Sequence, residues 1–363
     1  MRLLHLNHII LCIYIFLGLA NISGASRGYS LAEHNLAKII QEQFAFFEFA
    51  KDCTRDQEIE LTRKAQSVVT AYESHLIENP DDVNGLILFG KFLKKVGQNQ
   101  RAIDYFLKAD VLEPKLAVIK QQIGNYLVES GKAVDAFPFF LMATQLDPEV
   151  ANYHFELGNY IHIFSSELTQ EGIIKEKTAP ALLFQSFKAA SEIAPGNFEY
   201  RLRYAQSFFD YPHSEKLEAL EQWNSILSNF PDLSKAEKDY IKLCKARVLI
   251  ELNRKLEAKK LIHSVSSKSL SKSKLSLLKQ ASSTKSKELP AQVSPLSPKA
   301  GNKTGFLFPT DNHLQRMRSV STRLSEEKLL SELTLDVLKA RLDDTGQVQL
   351  EFLSEITKEP AQQ

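Results

Sequence analysis

His154 and His162 are the histidine pair best spaced for chemistry, eight residues apart, or about two helical turns. Metal ligation of the H-E-x-x-H kind needs i, i+4 spacing or further ligands, and the sequence offers neither. Packing or surface roles are the expectation for both. Gly124 through Gly131-Lys132 has the outline of a phosphate-cradling loop. Its glycines stand too far apart, however, and Ala133 replaces the required hydroxyl residue. Aspartates and glutamates are scattered, with nothing to pair two of them as acid and base. The chain therefore reads as no enzyme, with no catalytic residue, no cofactor and no metal site.

Those glycines belong to a different pattern. Pro80, Pro114 and Pro148 recur at a step of 34 residues, as do Gly90, Gly124 and Gly158. Between the last two prolines Leu93/Leu127, Gly97/Gly131, Ala102/Ala136, Phe106/Phe140, Leu107/Leu141, Ala109/Ala143 and Leu112/Leu146 also match. With Gly90/Gly124 and Pro114/Pro148 that makes nine identities in 34 positions, where roughly two would arise from average residue usage. A period of this length marks an array of helix pairs. Small residues belong where helices cross closely, and the phenylalanines fill the space between helices. Gly97 and Gly131 permit a turn with positive φ, and each proline stops the preceding helix.

The pattern resembles the tetratricopeptide repeat (TPR), a pair of antiparallel helices repeated every 34 residues. One unit carries Leu86, Phe89, Gly90, Leu93, Gly97, Ala102, Phe106, Ala109 and Pro114. The next carries Ile123, Gly124, Leu127, Gly131, Ala136, Phe140, Ala143 and Pro148. A third, from Leu157, Gly158 and Ile161 to Phe187, Ala190 and Pro195, holds 13 extra residues within Ser165–Pro180. A fourth runs through Tyr204, Ala205, Phe208, Ala219 and Trp223 to Pro231, and a weaker fifth holds Ala246, Leu249, Asn253 and Ala258. Upstream, Ser30 with Glu33 forms a capping-box signature opening a helix over Leu31–Ala50, and Gln57–Glu78 reads as the second helix of a degenerate unit. Pro138 departs from the pattern and is expected near a first turn or a kink. The resemblance implies an all-α, TPR-type solenoid of about five to six helix pairs. Residues 26–79 form its N-terminal helices and 80–263 its array.

In this family the first helix of each unit lines a concave face, and the residue after the small position points into it. That implies a peptide groove lined by Lys91, Asn125, Asn159, Gln206 and Arg247, flanked by Lys94, Gln121, Asn152 and Arg203. All are hydrogen-bonding side chains suited to an extended peptide backbone. Lys91, Asn125 and Arg203 stand near the positions of a clamp for a terminal carboxylate, but Ile87 and Gln122 occupy two places where clamp residues belong. The insertion Ser165–Pro180 lengthens an inter-helix connection and is a second candidate for recognition.

The ends differ from the middle. Arg2, the apolar run Ile9–Leu17 and the small residues Ser23 and Ala25 have the layout of a signal peptide over 1–25, cleaved before Ser26. The alternative is an uncleaved membrane anchor. Cys53 and Cys244 lie far apart in an array whose units touch only neighbours, so no disulfide between them is expected. Net charge is +1, which excludes nothing by itself. Lys268–Lys303 nevertheless holds eight lysines against one acid. Residues 264–322 therefore read as a flexible basic Ser/Lys/Pro linker, with a short helix possible around Leu270–Leu278. A C-terminal helical segment over 323–363 is expected, capped by Ser325 and stopped by Gly346. Past it, Val348, Leu350 and Phe352 alternate as in a strand, while Leu353 and Ile356 suit a helix.

The functional expectation is an exported, periplasmic or secreted scaffold that binds a protein or peptide partner in its groove, with no specific nucleic acid. The alternative is an anionic polymer or membrane surface held by the lysine-rich tail, with the repeats as spacer. In a further alternative the C-terminal helix occupies the chain's own groove.

Overall fold

The computed structural model describes residues 30–211, 215–283, 309–326 and 335–353. The chain divides into two compact units, residues 1–85 with 334–363, and residues 86–333.

The first unit is built on α1 (Leu31–Lys51) and α2 (Glu58–Glu78). The capping box is present: Ser30 accepts from the Glu33 N–H at 3.2 Å while Glu33 accepts from the Ser30 N–H at 2.7 Å. Leu36, Ile39, Phe46 and Ala50 of α1 and Leu61, Ala65, Val68 and Tyr72 of α2 form its core. The Tyr72 hydroxyl donates to Gln43 at 2.8 Å.

The C-terminal segment corrects the helical reading of residues 323–363. Val337–Leu342 and Val348–Phe352 are antiparallel strands, β1 and β2. Gly346 turns the chain at φ +80° instead of stopping a helix, and Asp343 Oδ1 accepts the Thr345 and Gln347 N–H groups, each at 2.9 Å. Ala340, Val348, Leu350 and Phe352 are buried. The edge of β1 away from β2 is covered by α2. Glu73 accepts the Leu335 N–H (2.8 Å), Gln66 accepts the Val337 N–H (2.5 Å), and Thr62 accepts the Ala340 N–H (2.9 Å). An otherwise unpaired strand edge is thereby satisfied by side chains of a helix.

The second unit is all-α. Its pairs are α3 (Val83–Lys95) with α4 (Asn99–Leu112), α5 (Ala117–Glu129) with α6 (Ala133–Leu146), and α7 (Ala151–Gln170) with α8 (Ala179–Ile193). Two more follow: α9 (Phe198–Ser207) with α10 (Lys216–Asn229), and α11 (Lys235–Glu251) with α12 (Lys255–His263). Within the first three pairs a phenylalanine ring lies over a glycine. A Cβ on Gly90, Gly124 or Gly158 would sit 2.7, 3.3 or 2.7 Å from Phe106, Phe140 or Phe187 respectively. Gly97 and Gly131 adopt φ +82° and +72°, and the residue after each donates back to a carbonyl five residues earlier, Gln98 to Leu93 and Lys132 to Leu127. Gly172 and Asn253 make the same left-handed turn in the third and fifth pairs. Pro138 sits buried in the second turn of α6, not the first. The insertion is divided: α7 runs on to Gln170, and the chain crosses to α8 through residues 171–178.

Within 264–322 the short helix allowed around Leu270–Leu278 is present, and the reading as flexible is corrected at a second helix. A helix α13 (Ser271–Ser282) caps the array and buries Leu277 and Ala281. Asp239 holds the approach to it, accepting the Ser266 and Ser267 N–H groups at 3.0 Å and the Ser267 hydroxyl at 2.8 Å. These bonds to the charged form keep its carboxyl well below the ordinary range, against the opposing effect of burial. A further helix, α14 (Asp311–Glu326), packs on α6 and α4. Ser325, expected to open a helix, lies in its last turn. Serine with lysine in α13 and serine with arginine in α14 are the commonest polar residues, and each helix buries only a stripe of two apolar residues, which composition conceals. Residues 1–29, 284–308, 327–334 and 354–363, and the expectations falling on them, lie outside the described residues.

The glycine contacts predict unequal costs. Gly90→Ala and Gly158→Ala should each destabilise by up to about 2 kcal/mol, overpacking of about 1–3 being offset by roughly 1 from helix propensity. Gly124→Ala, with more room under its ring, should be close to neutral. Thermal melts followed by circular dichroism measure the order. Equal losses at all three positions would contradict it.

Candidate functional site

The first helices of successive pairs are joined by polar side chains. Lys94 on α3 pairs with Glu129 on α5 at 2.9 Å. Gln121 on α5 donates to Glu156 on α7 at 2.5 Å, and Glu156 also accepts from Asn152 at 3.0 Å. Asn152 in turn accepts from Tyr200 on α9 at 3.4 Å. Arg203 on α9 donates to Gln206 at 3.0 Å, and Gln206 donates to Tyr240 on α11 at 3.0 Å. Arg247 on α11 lies 4.1 Å over the Phe209 ring and pairs with Glu251 at 3.4 Å. These bonds make one ladder across five helices.

This is a solenoid of TPR type. No family model and no curated protein sequence matches the chain. Among solved structures it is similar to YrrB, a TPR protein with an unusual peptide-binding site, at 17% identity and TM-score 0.43 over 59% of this chain and 96% of that one. It is also similar to PilF of Pseudomonas aeruginosa at 14% identity and TM-score 0.40, over 62% of this chain and 90% of that one. A third similar structure is PilW, a type IV pilus biogenesis factor, at 13% identity and TM-score 0.40, over 65% of this chain and 97% of that one. Likenesses at this level carry no argument about partner or function.

The nine sequence-derived groove residues thus divide. Lys94, Gln121, Asn152, Arg203, Gln206 and Arg247 are engaged with other residues of the chain. Gln121 is buried, and the Arg203 guanidinium lies 4.7 Å over the buried Phe187 ring. Lys91 is half-buried on α3 and has partners of its own. Asn125 and Asn159 are half-buried, and among the described residues neither carboxamide has a hydrogen-bond partner. Ile87 is buried in the core and cannot serve a carboxylate clamp.

Sequence reasoning missed the acceptors and the aromatic partners: Glu129, Glu156, Tyr200, Phe209 and Tyr240. A signal for most of them existed. Lys94–Glu129 and Gln121–Glu156 stand 35 residues apart and Gln206–Tyr240 34, one period or one period plus one. Asn152–Tyr200 stand 48 apart, which is the lengthened 47-residue third unit plus one.

Tyr240 and Cys244 add no charge to this face at neutral pH. Burial pushes the Tyr240 hydroxyl up to about 12 and the Cys244 thiol up to about 11. The two histidines have separate surroundings. His154 is buried with Nε2–H donating to the Pro148 carbonyl at 2.9 Å, whereas His162 is exposed with Asp210 at 4.0 Å.

The insertion meets the chain itself. The His313 ring of α14 stands edge-on to Phe137 at 5.4 Å and interacts with the backbone of Ile173 inside the insertion. Arg316 and Arg323 both bond Asp135 on α6, at 2.7 and 2.5 Å. Val320 and Leu324 are buried between these contacts. The helix therefore lies on second helices, not on the first-helix face.

Burial lowers the pKa of His154 below 6.5, outweighing the Pro148 bond, and does the same to His313. Between pH 6.5 and the depressed folded values the unfolded chain binds protons that the folded chain refuses, so stability falls as pH drops through that window. Urea midpoints should fall between pH 7.5 and 5.5, and His154→Gln should lessen that fall. An unchanged slope in the variant would refute the assignment.

Proposed function

We propose that the chain is an interaction scaffold that holds an extended peptide segment of a protein partner along its first-helix face. One observation carries this reading. Asn125 and Asn159 occupy the same repeat position on adjacent first helices, half-buried and without partners, while the polar side chains around them are tied into the ladder. A carboxamide offers two donors and an acceptor, which matches the N–H and C=O of a peptide unit. Extended chain rises about 3.3 Å per residue, so two such anchors on helices packed roughly 8–10 Å apart suit peptide groups about three residues apart. Tyr240, Cys244 and the paired charges leave this face close to neutral, which favours recognition of backbone over recognition of a charged terminus. No step in this reading uses a cofactor, a metal or a catalytic residue.

The test is affinity. A partner peptide, mapped by cross-linking to the first-helix face, is titrated against the wild-type chain and Asn125→Ala/Asn159→Ala. A loss of about 10–100-fold is expected, from about 1.5–3 kcal/mol for two hydrogen-bonded pairs, with the melting temperature unchanged. Equal affinity would sink the reading.

Export by a cleaved signal peptide is part of the proposal, on the strength of the Arg2, Ile9–Leu17 and Ser23–Ala25 layout. Mass spectrometry of protein recovered from its native cell should find Ser26 at the N-terminus. An N-terminus at Met1 would point to the uncleaved anchor.

A further inference from the structure

The end of the array formed by α11, α12 and α13 carries charge of one sign. Residues 235–283 hold thirteen lysines and arginines against four acids. Every one of those acids is engaged: Glu237 in a capping box with Ser234, Asp239 by Ser266, Ser267 and Lys242, Glu251 by Lys216 and Arg247, and Glu257 by Arg254. From Ala258 to Ser283 there is no acid at all. Lys268, Lys272 and Lys279 are exposed and, among the described residues, have no ion-pair or hydrogen-bond partner through their side chains. A terminal repeat needs a polar outer face for solubility, but a face that serves only solubility mixes both signs.

Apolar side chains stand among these lysines. Leu256 on α12 is 79% exposed and Leu275 on α13 is 60% exposed. Lys259 and Lys260 follow Leu256 by three and four positions, and Lys272 and Lys279 flank Leu275 by three and four. On each helix the leucine and the ammonium groups therefore share a face. The two helices pack together, and Lys255 of α12 donates to the Ser283 carbonyl beyond the end of α13 at 2.9 Å.

We propose that the α12–α13 face docks on an anionic lipid bilayer. Lysines reach the anionic headgroups, and the two leucines enter the boundary between headgroups and acyl chains. A nucleic acid is the poorer fit. The face of α12 and α13 has no Phe, Tyr or Trp ring on which a base could stack, and exposed leucines gain nothing against phosphates. The surface is distinct from Asn125 and Asn159, so the scaffold reading and this one stand or fall separately.

Co-sedimentation of the full chain with phosphatidylcholine vesicles, with and without phosphatidylglycerol, tests it at low and high salt. Binding should require phosphatidylglycerol and weaken with salt. Lys268→Gln/Lys272→Gln/Lys279→Gln should lower the partition coefficient about a hundredfold, roughly fivefold per lysine. Leu256→Ser/Leu275→Ser should lower it about tenfold while leaving the salt dependence unchanged. Three outcomes would overturn the proposal: equal capture by neutral vesicles, as an apolar leader would produce; wild-type binding by either variant; or polyphosphate binding as tight as vesicle binding and indifferent to the leucines. All the substituted side chains are exposed, so matching circular dichroism spectra are expected, and the leucine variant decides the matter if the lysine variant unfolds.

Discussion

Within each early pair of the second unit, a phenylalanine ring rests on helix backbone at a residue that has no side chain. Gly90 under Phe106, Gly124 under Phe140 and Gly158 under Phe187 hold the two helices at one separation and one rotation. In the fourth and fifth pairs the same place is taken by the fully buried Ala205 and Ala246, with Trp223 buried in the fourth pair. Everything polar follows from this packing. With the small residue turned inward, the next residue, whether Lys91, Asn125, Asn159, Gln206 or Arg247, stands about 100° around its helix from that contact.

That constraint also explains why most of the predicted groove is already occupied. Side chains repeated on neighbouring helices come close enough to bond, and a half-buried polar atom without a partner costs free energy. The ladder from Lys94 to Glu251 is the outcome. Asn125 and Asn159 are the exceptions, while Glu156, three residues before Asn159, accepts from Gln121 and Asn152.

The array was readable because the period encodes packing, and packing repeats. Gly90, Phe106, Gly97 and Pro114 each do one physical task at one place in the unit, so their recurrence reports the fold directly. Asn253 was readable as a repeat position, although not as a left-handed turn, because asparagine can replace glycine there at modest cost. The C-terminal hairpin was not readable as such. Leu335, Leu338 and Leu342 lie off the helical stripe, but their spacings of three and four give no period-two signal to set against the apparent cap at Ser325. The acceptor roles of Gln66, Glu73 and Thr62 were invisible for another reason. They belong to contacts nearly the whole chain apart, and no local pattern announces those.

Such separations alter how the first unit is born. Thr62 meets Ala340 across 278 residues, yet solenoids ordinarily close each unit on its neighbour. At a synthesis rate of about 5–20 residues per second, the α2 side chains that receive β1, Thr62, Gln66 and Glu73, emerge from the ribosome roughly 14–56 seconds before their partner exists. During that interval the N-terminal helix pair is an incomplete module. Holding it soluble falls to whatever attends the nascent chain, and a protein truncated anywhere before residue 335 never leaves that condition.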